Sequence, residues 1–219
     1  MSLKELIEEE TAKHLTVFPK ETQVIMAQAA QELVERGVGK DALREGDRLP
    51  AATLLDAHGK EVSLAALVAE GPLVINYYRG AWCPYCNLEL RAYQQLLPEI
   101  EAAGGRLIAI TPELPDHAVT ASEENALSFP VLSDVGLKLS EALGISFELP
   151  EALKVLYGNF GAALDKLNGE DRWRLPIPAT YVVGKDGIIV KAHVDVNYRA
   201  RMEPGEALEA LLALQAKAA

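Results

Sequence analysis

The feature that most constrains the fold is a strand, a helix and a second strand that follow one another without a long loop. Residues 73–78 form an apolar run rich in β-forming side chains, which predicts a buried strand. Residues 87–103 then show a helical pattern that ends at Gly104, and residues 106–111 form a second buried strand. Two strands that are joined through a helix pair in parallel, with a right-handed crossover. The order therefore predicts an α/β fold built on a central sheet.

Cys83 and Cys86 are the only cysteines in the 219-residue sequence, and they lie between the first strand and the helix. Open α/β sheets hold their active sites at this end of the strands. A thiol at a helix N-terminus ionises more easily, and the thiolate is the reactive form. Cys83 comes first and is therefore the predicted attacking thiol, while Cys86, one turn further, can resolve a mixed disulfide or a sulfenic acid. Pro84 suits the first helical turn because it has no N–H to leave unpaired.

Other uses of the cysteine pair fit the sequence less well. A disulfide between cysteines this close would close a loop too small to stabilise the fold of a chain of this length. A lone C-x-x-C can be half of a zinc site, which needs two further ligands. The histidines are scattered without zinc-ligand spacing: His14, His58, His117 and His193. We therefore expect redox chemistry, without a metal or an organic cofactor, in preference to zinc binding or to two inert buried cysteines.

Composition and charge narrow the class of protein. The net charge of -11 and the pI of about 4.9 argue against a nucleic-acid-binding surface, which needs a basic face. The acidic residues 8–10 interrupt any signal-peptide pattern, and the apolar runs are too short to cross a membrane. The cysteines do not form the spread framework of a secreted protein. The chain is predicted to be cytoplasmic, with no nucleic-acid or membrane partner.

Residues 1–44 are predicted to form an N-terminal helical extension, and residues 45–219 the α/β domain. Leu3, Leu6 and Ile7 lie on one helical stripe, and Pro19 separates them from a second stripe that ends before Gly37. Amphipathic helices usually bury one face on the main domain. That interpretation is favoured over a contact between two copies of the chain in a homodimer.

Residues 82–86, Trp-Cys-Pro-Tyr-Cys, resemble the W-C-x-x-C motif of thioredoxin-fold oxidoreductases. Three further segments resemble, in the same order, the AhpC/TSA peroxiredoxin branch of that fold: GDRLP at 46–50, FPVLSD at 129–134 and ATYVV at 179–183. The resemblance covers roughly residues 46–193. It implies a thioredoxin-like fold, in which a central mixed β-sheet is flanked by helices and preceded by the N-terminal extension.

By position, this resemblance makes Cys83 the peroxidatic cysteine and Cys86 the resolving cysteine. The chain departs from the family at one place. Typical peroxiredoxins read P-x-x-x-T-x-x-C, and their threonine hydroxyl helps to position the peroxide. Here Gly80 occupies the threonine position and Asn76 the proline position. The motif around Cys83 therefore resembles that of thioredoxins, whereas the wider segment, residues 46–193, resembles peroxiredoxins.

Pro178 resembles the cis-proline that thioredoxin-fold proteins place opposite the active-site cysteines, just before a strand. A cis X-Pro bond is a minority state that usually has a structural purpose. Pro176 lies close by, and an ordinary loop proline is the alternative for Pro178.

The remaining candidate site residues lie beside the cysteines in the sequence. Trp82 is expected beside the thiols as part of the substrate surface, or else in the core. Arg79 could stabilise the Cys83 thiolate, as an arginine does in peroxiredoxins. The alternatives are a solvated Arg79 and a role for Arg174 in its place. Tyr85 fills the variable position of the motif, which tunes the redox potential in this fold.

Three hypotheses about function follow. In the first, the chain is a peroxidase: Cys83 attacks hydrogen peroxide or an alkyl hydroperoxide, and its sulfenic acid condenses with Cys86. Thioredoxin, glutaredoxin or a small thiol would then reduce the disulfide. In the second, the same cysteines act as a thiol–disulfide oxidoreductase on protein disulfides. In the third, which ranks last, the pair reports oxidation to a partner through the N-terminal helices.

Overall fold

The computed structural model describes residues 1–169 and 173–218, and within them it contains nine helices and nine strands. The helices are α1 (Leu3–Val17), α2 (Lys20–Glu35), α3 (Leu64–Glu70), α4 (Pro84–Ala102), α5 (Pro115–Glu124), α6 (Lys138–Ala142), α7 (Glu151–Asn159), α8 (Leu164–Leu167) and α9 (Pro204–Ala218). The strands are β1 (Thr53–Leu55), β2 (Glu61–Ser63), β3 (Leu73–Tyr77), β4 (Arg106–Thr111), β5 (Val131–Ser133), β6 (Ser146–Glu148), β7 (Arg174–Pro176), β8 (Ala179–Val183) and β9 (Ile189–Val194). No helix in this part of the chain is long and apolar enough to span a lipid bilayer.

Seven of the described strands form one sheet, in the order β2-β1-β5-β4-β3-β8-β9. The strands β3, β4 and β5 are parallel neighbours, whereas β8 and β9 continue the sheet in antiparallel pairing. Helix α4 connects β3 to β4, as the strand–helix–strand pattern predicts. The predicted thioredoxin-like class, a central mixed sheet flanked by helices, is confirmed.

Side chains of the central strands alternate between two apolar cores, one on each face of the sheet. In β3, Val74 packs in the core that contains residues of α1, α4 and α9, whereas Leu73 and Ile75 pack in the core that contains residues of α3 and α6. All residues of β3 are buried. A strand that is covered on both faces needs apolar side chains at nearly every position, which explains the unbroken apolar run in the sequence.

The N-terminal helices pack on this domain. Helix α1 begins with a capping box, in which the Ser2 hydroxyl accepts a hydrogen bond from the Glu5 N–H and the Glu5 carboxylate accepts one from the Ser2 N–H. Leu3 and Ile7 of α1 are buried in the core that α4 also enters. Helix α2 packs against α7 through Ala29. These contacts hold both helices beside the loop between β3 and α4.

The structure corrects several predicted elements. The apolar pattern of residues 150–164 predicts a single helix, but the structure has α7 and only the first residue of α8 there, separated by a turn in which Gly161 has a φ of 79°. The strands β2, β6 and β7, of three residues each, were not predicted. Helix α4 starts earlier than residue 87, since Cys83 is its N-cap and Pro84 its first residue.

Candidate active site

Cys83 and Cys86 lie where β3 ends and α4 begins, at the carboxyl edge of the parallel strands. Cys83 is the N-cap residue of α4, with φ −93° and ψ 109°, and Pro84 takes the first helical position. The two sulfurs are not joined by a disulfide in this structure, and both residues are buried, with relative exposures of 1% for Cys83 and 0% for Cys86. The helix N-terminus therefore points its partial positive charge at the cysteine pair.

The surroundings of Cys83 favour its thiolate. Burial by itself would raise the pKa of this thiol, but hydrogen bonds from Cys86 and the positive charges of Arg79 and Arg201 outweigh burial. Together they lower the pKa of Cys83 from 9.0 to about 6. At neutral pH this sulfur is a thiolate, which is the nucleophilic form of cysteine.

Arg79 is held in a cage of aromatic rings. Its guanidinium carbon lies 4.9 Å from the centroid of the Trp82 ring and 4.7 Å from that of Tyr198, and Nη2 donates a hydrogen bond of 2.5 Å to the Tyr157 hydroxyl. Aromatic faces attract a cation, and the attraction strengthens where water is excluded. The side chain is 4% exposed, so the alternative of a solvated Arg79 is wrong. The guanidinium is fixed where its charge acts on Cys83.

Cys86 faces a different set of groups. Arg201 Nη2 lies 3.5 Å from Cys86 Sγ, and the same guanidinium forms an ion pair with Glu89 in which both side chains are 1% exposed. Burial raises the pKa of Cys86 well above its ordinary value, and the hydrogen bond to Cys83 and the Cys83 charge raise it further. Cys86 is therefore a neutral thiol at neutral pH. Arg174, the alternative to Arg79 in the sequence analysis, pairs instead with an acidic residue of α6, and the second charge that acts on the sulfurs comes from Arg201.

Gly80 stands where a side chain does not fit. Its φ is 148°, and a Cβ at this position would lie 2.3 Å from Trp82 Nε1 and 2.8 Å from Glu113 Oε1. Glu113 follows β4 and accepts a hydrogen bond of 2.9 Å from the Ala81 N–H. Burial raises the pKa of Glu113 from 4.5 to about 7. With Trp82 and Glu113 in these positions, a threonine side chain does not fit at residue 80.

Tyr85 ties the cysteine motif to α1. Its side chain is 3% exposed, and its hydroxyl lies 3.0 Å from His14 Nδ1 and accepts a hydrogen bond of 3.3 Å from Arg199 Nε. His14 Nε2 in turn lies 3.0 Å from a Glu10 carboxylate oxygen. Tyr85 is therefore partly covered by the N-terminal extension. The influence of Tyr85 on the redox potential stays a prediction.

Pro178 precedes β8, as predicted, but the Ile177–Pro178 bond is trans and the expectation of a cis-proline is wrong. The chain leads from β7 through Ile177, whose N–H donates a hydrogen bond of 2.8 Å to the Ile145 carbonyl, into β8. A residue before proline prefers an extended conformation, and the trans bond is the lower-energy form. Pro178 lines a small cavity together with Arg79.

A pocket of about 400 Å³ opens above Cys83. Its lining is mainly aromatic and apolar, and it comes from the N-terminal helices, the loop before α4, the region of α7 and the segment before α9. Prominent lining residues are Phe18, Met26, Trp82, Tyr157, Phe160 and Tyr198. Trp82, half-buried, therefore lies beside the attacking thiol.

The sequence did not point to Glu89, Glu113 or Arg201. Glu89 lies three residues after Cys86 on the buried face of α4, and a charged residue on an apolar helical stripe is a usable signal for a buried partner. Glu113 follows a strand parallel to β3, so it lies at the edge of the sheet where sites form. Arg201 is 115 residues from Cys86 in the chain, and no local pattern connects them.

The fold and the buried cysteine pair define a thiol oxidoreductase of the thioredoxin fold. Residues 46–192, about two thirds of the sequence, match the model of the AhpC/TSA family. The chain belongs to this family, and the resemblance stated for residues 46–193 is confirmed.

Similar proteins come from two branches of thiol redox chemistry. A protein of Mycobacterium tuberculosis assigned as a peroxiredoxin, Rv2521, is 30% identical over 155 residues, which cover 71% of this chain and 87% of that protein. The thiol-disulfide oxidoreductase ResA of Bacillus anthracis is 23% identical over 165 residues, which cover 75% and 78%. In its fold the chain is similar to the peroxidoxin BcpB of Mycobacterium tuberculosis, with a TM-score of 0.61, 20% identity and coverage of 78% of this chain and 98% of that one. The chain is thus an oxidoreductase.

Proposed function

We propose that this chain is a thiol-dependent peroxidase in which Cys83 is the peroxidatic cysteine and Cys86 the resolving cysteine. The observation that carries the proposal is the setting of Cys83. Cys83 combines a pKa of about 6 with a place in the lining of the pocket and a relative exposure of only 1%. A small peroxide can enter such a pocket, whereas the disulfide of a folded protein cannot approach a sulfur this deeply buried without a movement of the surrounding helices.

The first chemical step is attack of the Cys83 thiolate on one oxygen of the O–O bond. The S–O bond forms, the O–O bond breaks, and the second oxygen leaves with a proton as water or an alcohol. Cys83 is thereby oxidised to a sulfenic acid. Arg79 supports this step, since its Nε is buried without a hydrogen-bond partner among the described residues and can donate to a peroxide oxygen.

The second step joins the two cysteines. The Cys86 thiol gives up its proton and attacks the sulfenic sulfur, so that a Cys83–Cys86 disulfide forms and water leaves. Arg201, 3.5 Å from Cys86 Sγ, supports this step because its charge stabilises the thiolate that Cys86 must become. Two thiols of an external reductant then restore the pair by thiol–disulfide exchange and are themselves oxidised to a disulfide.

The remaining parts of the proposal concern partners and location. Thioredoxin, glutaredoxin or a small thiol is the proposed reductant, and an antioxidant role in the cytoplasm is the proposed setting, where thiols are kept reduced. Residues 45–219 carry the reaction, residues 1–44 form the extension, and a homodimer is the proposed alternative to a monomer. The reaction requires neither a metal nor an organic cofactor, because sulfur supplies the electrons.

A second candidate function is a thiol–disulfide oxidoreductase that acts on protein disulfides. It is favoured by the position of Cys83 at the N-cap of a helix with Cys86 in the next turn, the geometry in which a mixed disulfide is resolved. The similarity to ResA also supports it. On this hypothesis the N-terminal helices must move before a protein substrate reaches Cys83.

The deciding experiment is rapid mixing of the pre-reduced protein with hydrogen peroxide and with an alkyl hydroperoxide, followed by Trp82 and Trp173 fluorescence. We expect fast oxidation that Cys83→Ser abolishes. Cys86→Ser should still react once and should accumulate a sulfenic acid that a dimedone-type reagent traps. Oxidation no faster than that of a free cysteine, together with efficient reduction of insulin disulfides, would instead establish the second function.

A further inference from the structure

We propose that helices α1 and α2 select the substrate, by forming a wall of the pocket that favours organic hydroperoxides with a bulky apolar group over hydrogen peroxide. This inference rests on the proposed peroxidase function. Both helices lie outside residues 46–192, the segment that matches the family. Phe18 and Met26 nevertheless line the pocket above Cys83. The extension thus adds a surface to the site that the family segment does not contain.

The wall is centred on a stacked pair of phenylalanines. The ring of Phe18, which follows α1, lies 5.2 Å from the ring of Phe160, which follows α7, and the two planes differ by 11°. Trp82 and Tyr157, in contact at 5.4 Å, form the inner side of the same pocket. An apolar substituent that enters between these rings is removed from water on several sides, which favours binding in proportion to the buried area.

The size of the pocket fits a bulky substrate. Its volume of about 400 Å³ lies in the range of sites that enclose small organic ligands. A water molecule occupies only about 30 Å³ in the liquid, and hydrogen peroxide has just one oxygen more. Hydrogen peroxide therefore leaves most of the aromatic lining without a contact, whereas an aryl or branched alkyl group can fill it.

The wall is fixed in place relative to the reactive sulfur. The Phe18 ring packs on the His14 ring at 5.0 Å, and His14 Nδ1 lies 3.0 Å from the hydroxyl of Tyr85 inside the cysteine motif. Helix α1 is also anchored at its other end, where Leu3 and Ile7 are buried beside α4. Because the wall is already positioned, a substrate gains its contacts without first ordering the N-terminal helices.

The test compares the second-order rate constants for oxidation of the full-length, pre-reduced protein by cumene hydroperoxide and by hydrogen peroxide. We expect the unaltered protein to prefer cumene hydroperoxide. Phe18→Ala and Phe160→Ala should each lower the ratio of the two constants about tenfold, since each removes an aromatic contact that only the bulky substrate makes. Leu212→Ala is the matched control: Leu212 and Phe160 are both 47% exposed, and Leu212 lies on α9 away from the pocket.

A second measurement does not depend on turnover. The alcohol product 2-phenyl-2-propanol should bind the reduced protein and change the Trp82 fluorescence of a Trp173→Phe variant. Its dissociation constant should rise about tenfold when Phe160→Ala is added. Phe160 is half-exposed, so its truncation keeps the test valid even if Phe18→Ala fails to fold.

The outcomes separate this inference from the function on which it rests. If both peroxides oxidise Cys83 rapidly and the ratio is the same in the unaltered protein and in both wall variants, the inference is wrong and the peroxidase function stands. If neither peroxide reacts faster than it does with free cysteine, the peroxidase function is wrong and the inference falls with it. A ratio that falls in both wall variants but not in Leu212→Ala supports both.

Discussion

The two sulfurs of the site lie one helical turn apart in opposite surroundings. Cys83 borders an aromatic pocket that is open to small molecules, and its pKa is lowered to about 6. Cys86 is sealed behind it by the buried ion pair of Glu89 with Arg201, and its pKa is raised well above the ordinary value. We refer to the pocket side as the front of the site and to the ion-pair side as the rear.

The difference between the front and the rear explains how one cysteine can attack while the other resolves. The attacking sulfur must be ionised and reachable, and the front provides charge from Arg79 together with a route for the peroxide. The resolving sulfur must remain a thiol until the sulfenic acid has formed, and the rear keeps it buried and protonated. The environment, and not the residue, assigns the order of the two steps.

The largest expected effect comes from removing one partner of the Glu89–Arg201 ion pair at the rear of the site. Arg201→Met leaves the buried Glu89 carboxylate without its partner, so the free energy of unfolding should fall by about 3 to 5 kcal/mol. Urea denaturation at pH 7 measures the loss. The double variant Glu89→Leu with Arg201→Met should recover most of it. A loss of unfolding free energy below about 1 kcal/mol would mean that the Glu89–Arg201 pair is solvated like an ion pair on the surface. The rear of the site would then not be sealed from water, and it would not differ from the front in this respect.

The next effect concerns the pH dependence of stability at Glu113, which accepts a hydrogen bond from the Ala81 N–H in the loop before α4. The pKa of Glu113 is raised from 4.5 to about 7 in the folded state, so folding favours the protonated carboxyl and stability is lost as the pH rises from 4.5 through 7. Glu113→Gln removes this loss. Between pH 4.5 and pH 8 we expect the unfolding free energy of the variant to gain about 3 kcal/mol over that of the unaltered protein.

Urea denaturation at the two pH values measures this gain. The exposed Glu123, on α5, supplies the control substitution Glu123→Gln. An equal pH response of Glu113→Gln and the unaltered protein would show that Glu113 is ionised and solvated in the folded state.

A direct comparison of the two sulfurs should give a smaller but clear difference. At pH 7 most of Cys83 is thiolate while Cys86 is not, so iodoacetamide should alkylate Cys83 at least about 100 times faster. Peptide mapping by mass spectrometry after brief labelling separates the two sites, and the unfolded protein in urea serves as the reference. Comparable labelling of both cysteines in the folded protein would contradict the distinction between front and rear.

The smallest expected effect tests whether Arg79 lowers the pKa of Cys83 at the front of the site. Arg79→Gln removes a positive charge that favours the thiolate, so the pKa of Cys83 should rise and its alkylation at pH 6.5 should slow about tenfold. The pH profile of alkylation measures this change. Arg199→Gln is the matched control, because Arg199 also stacks on Tyr198 but acts mainly on the Tyr85 hydroxyl. If both variants gave the same pH profile of alkylation, Arg79 would have no specific effect on the pKa of Cys83.

Sequence and structure agree best where the pattern is local. The strand at 73–77, the helix after the cysteines and the strand at 106–111 were all predicted, because their side chains repeat with the period of their own element. The expectation of a cis bond before Pro178 and the alternative of a solvated Arg79 were wrong. Each depended on packing between distant segments, and a proline or an arginine by itself carries no sign of its final surroundings.

The sequence by itself determined that a cysteine pair would stand at the start of a helix beside parallel strands, since strand and helix periodicity and the position of Pro84 are local properties. Only the tertiary structure decided what surrounds each sulfur. Arg201 and Glu113 reach the site from remote parts of the chain, and α1 folds back to cover Tyr85. The pKa of a thiol depends on charges and burial within a few ångströms, and chain folding, not sequence distance, brings those groups together.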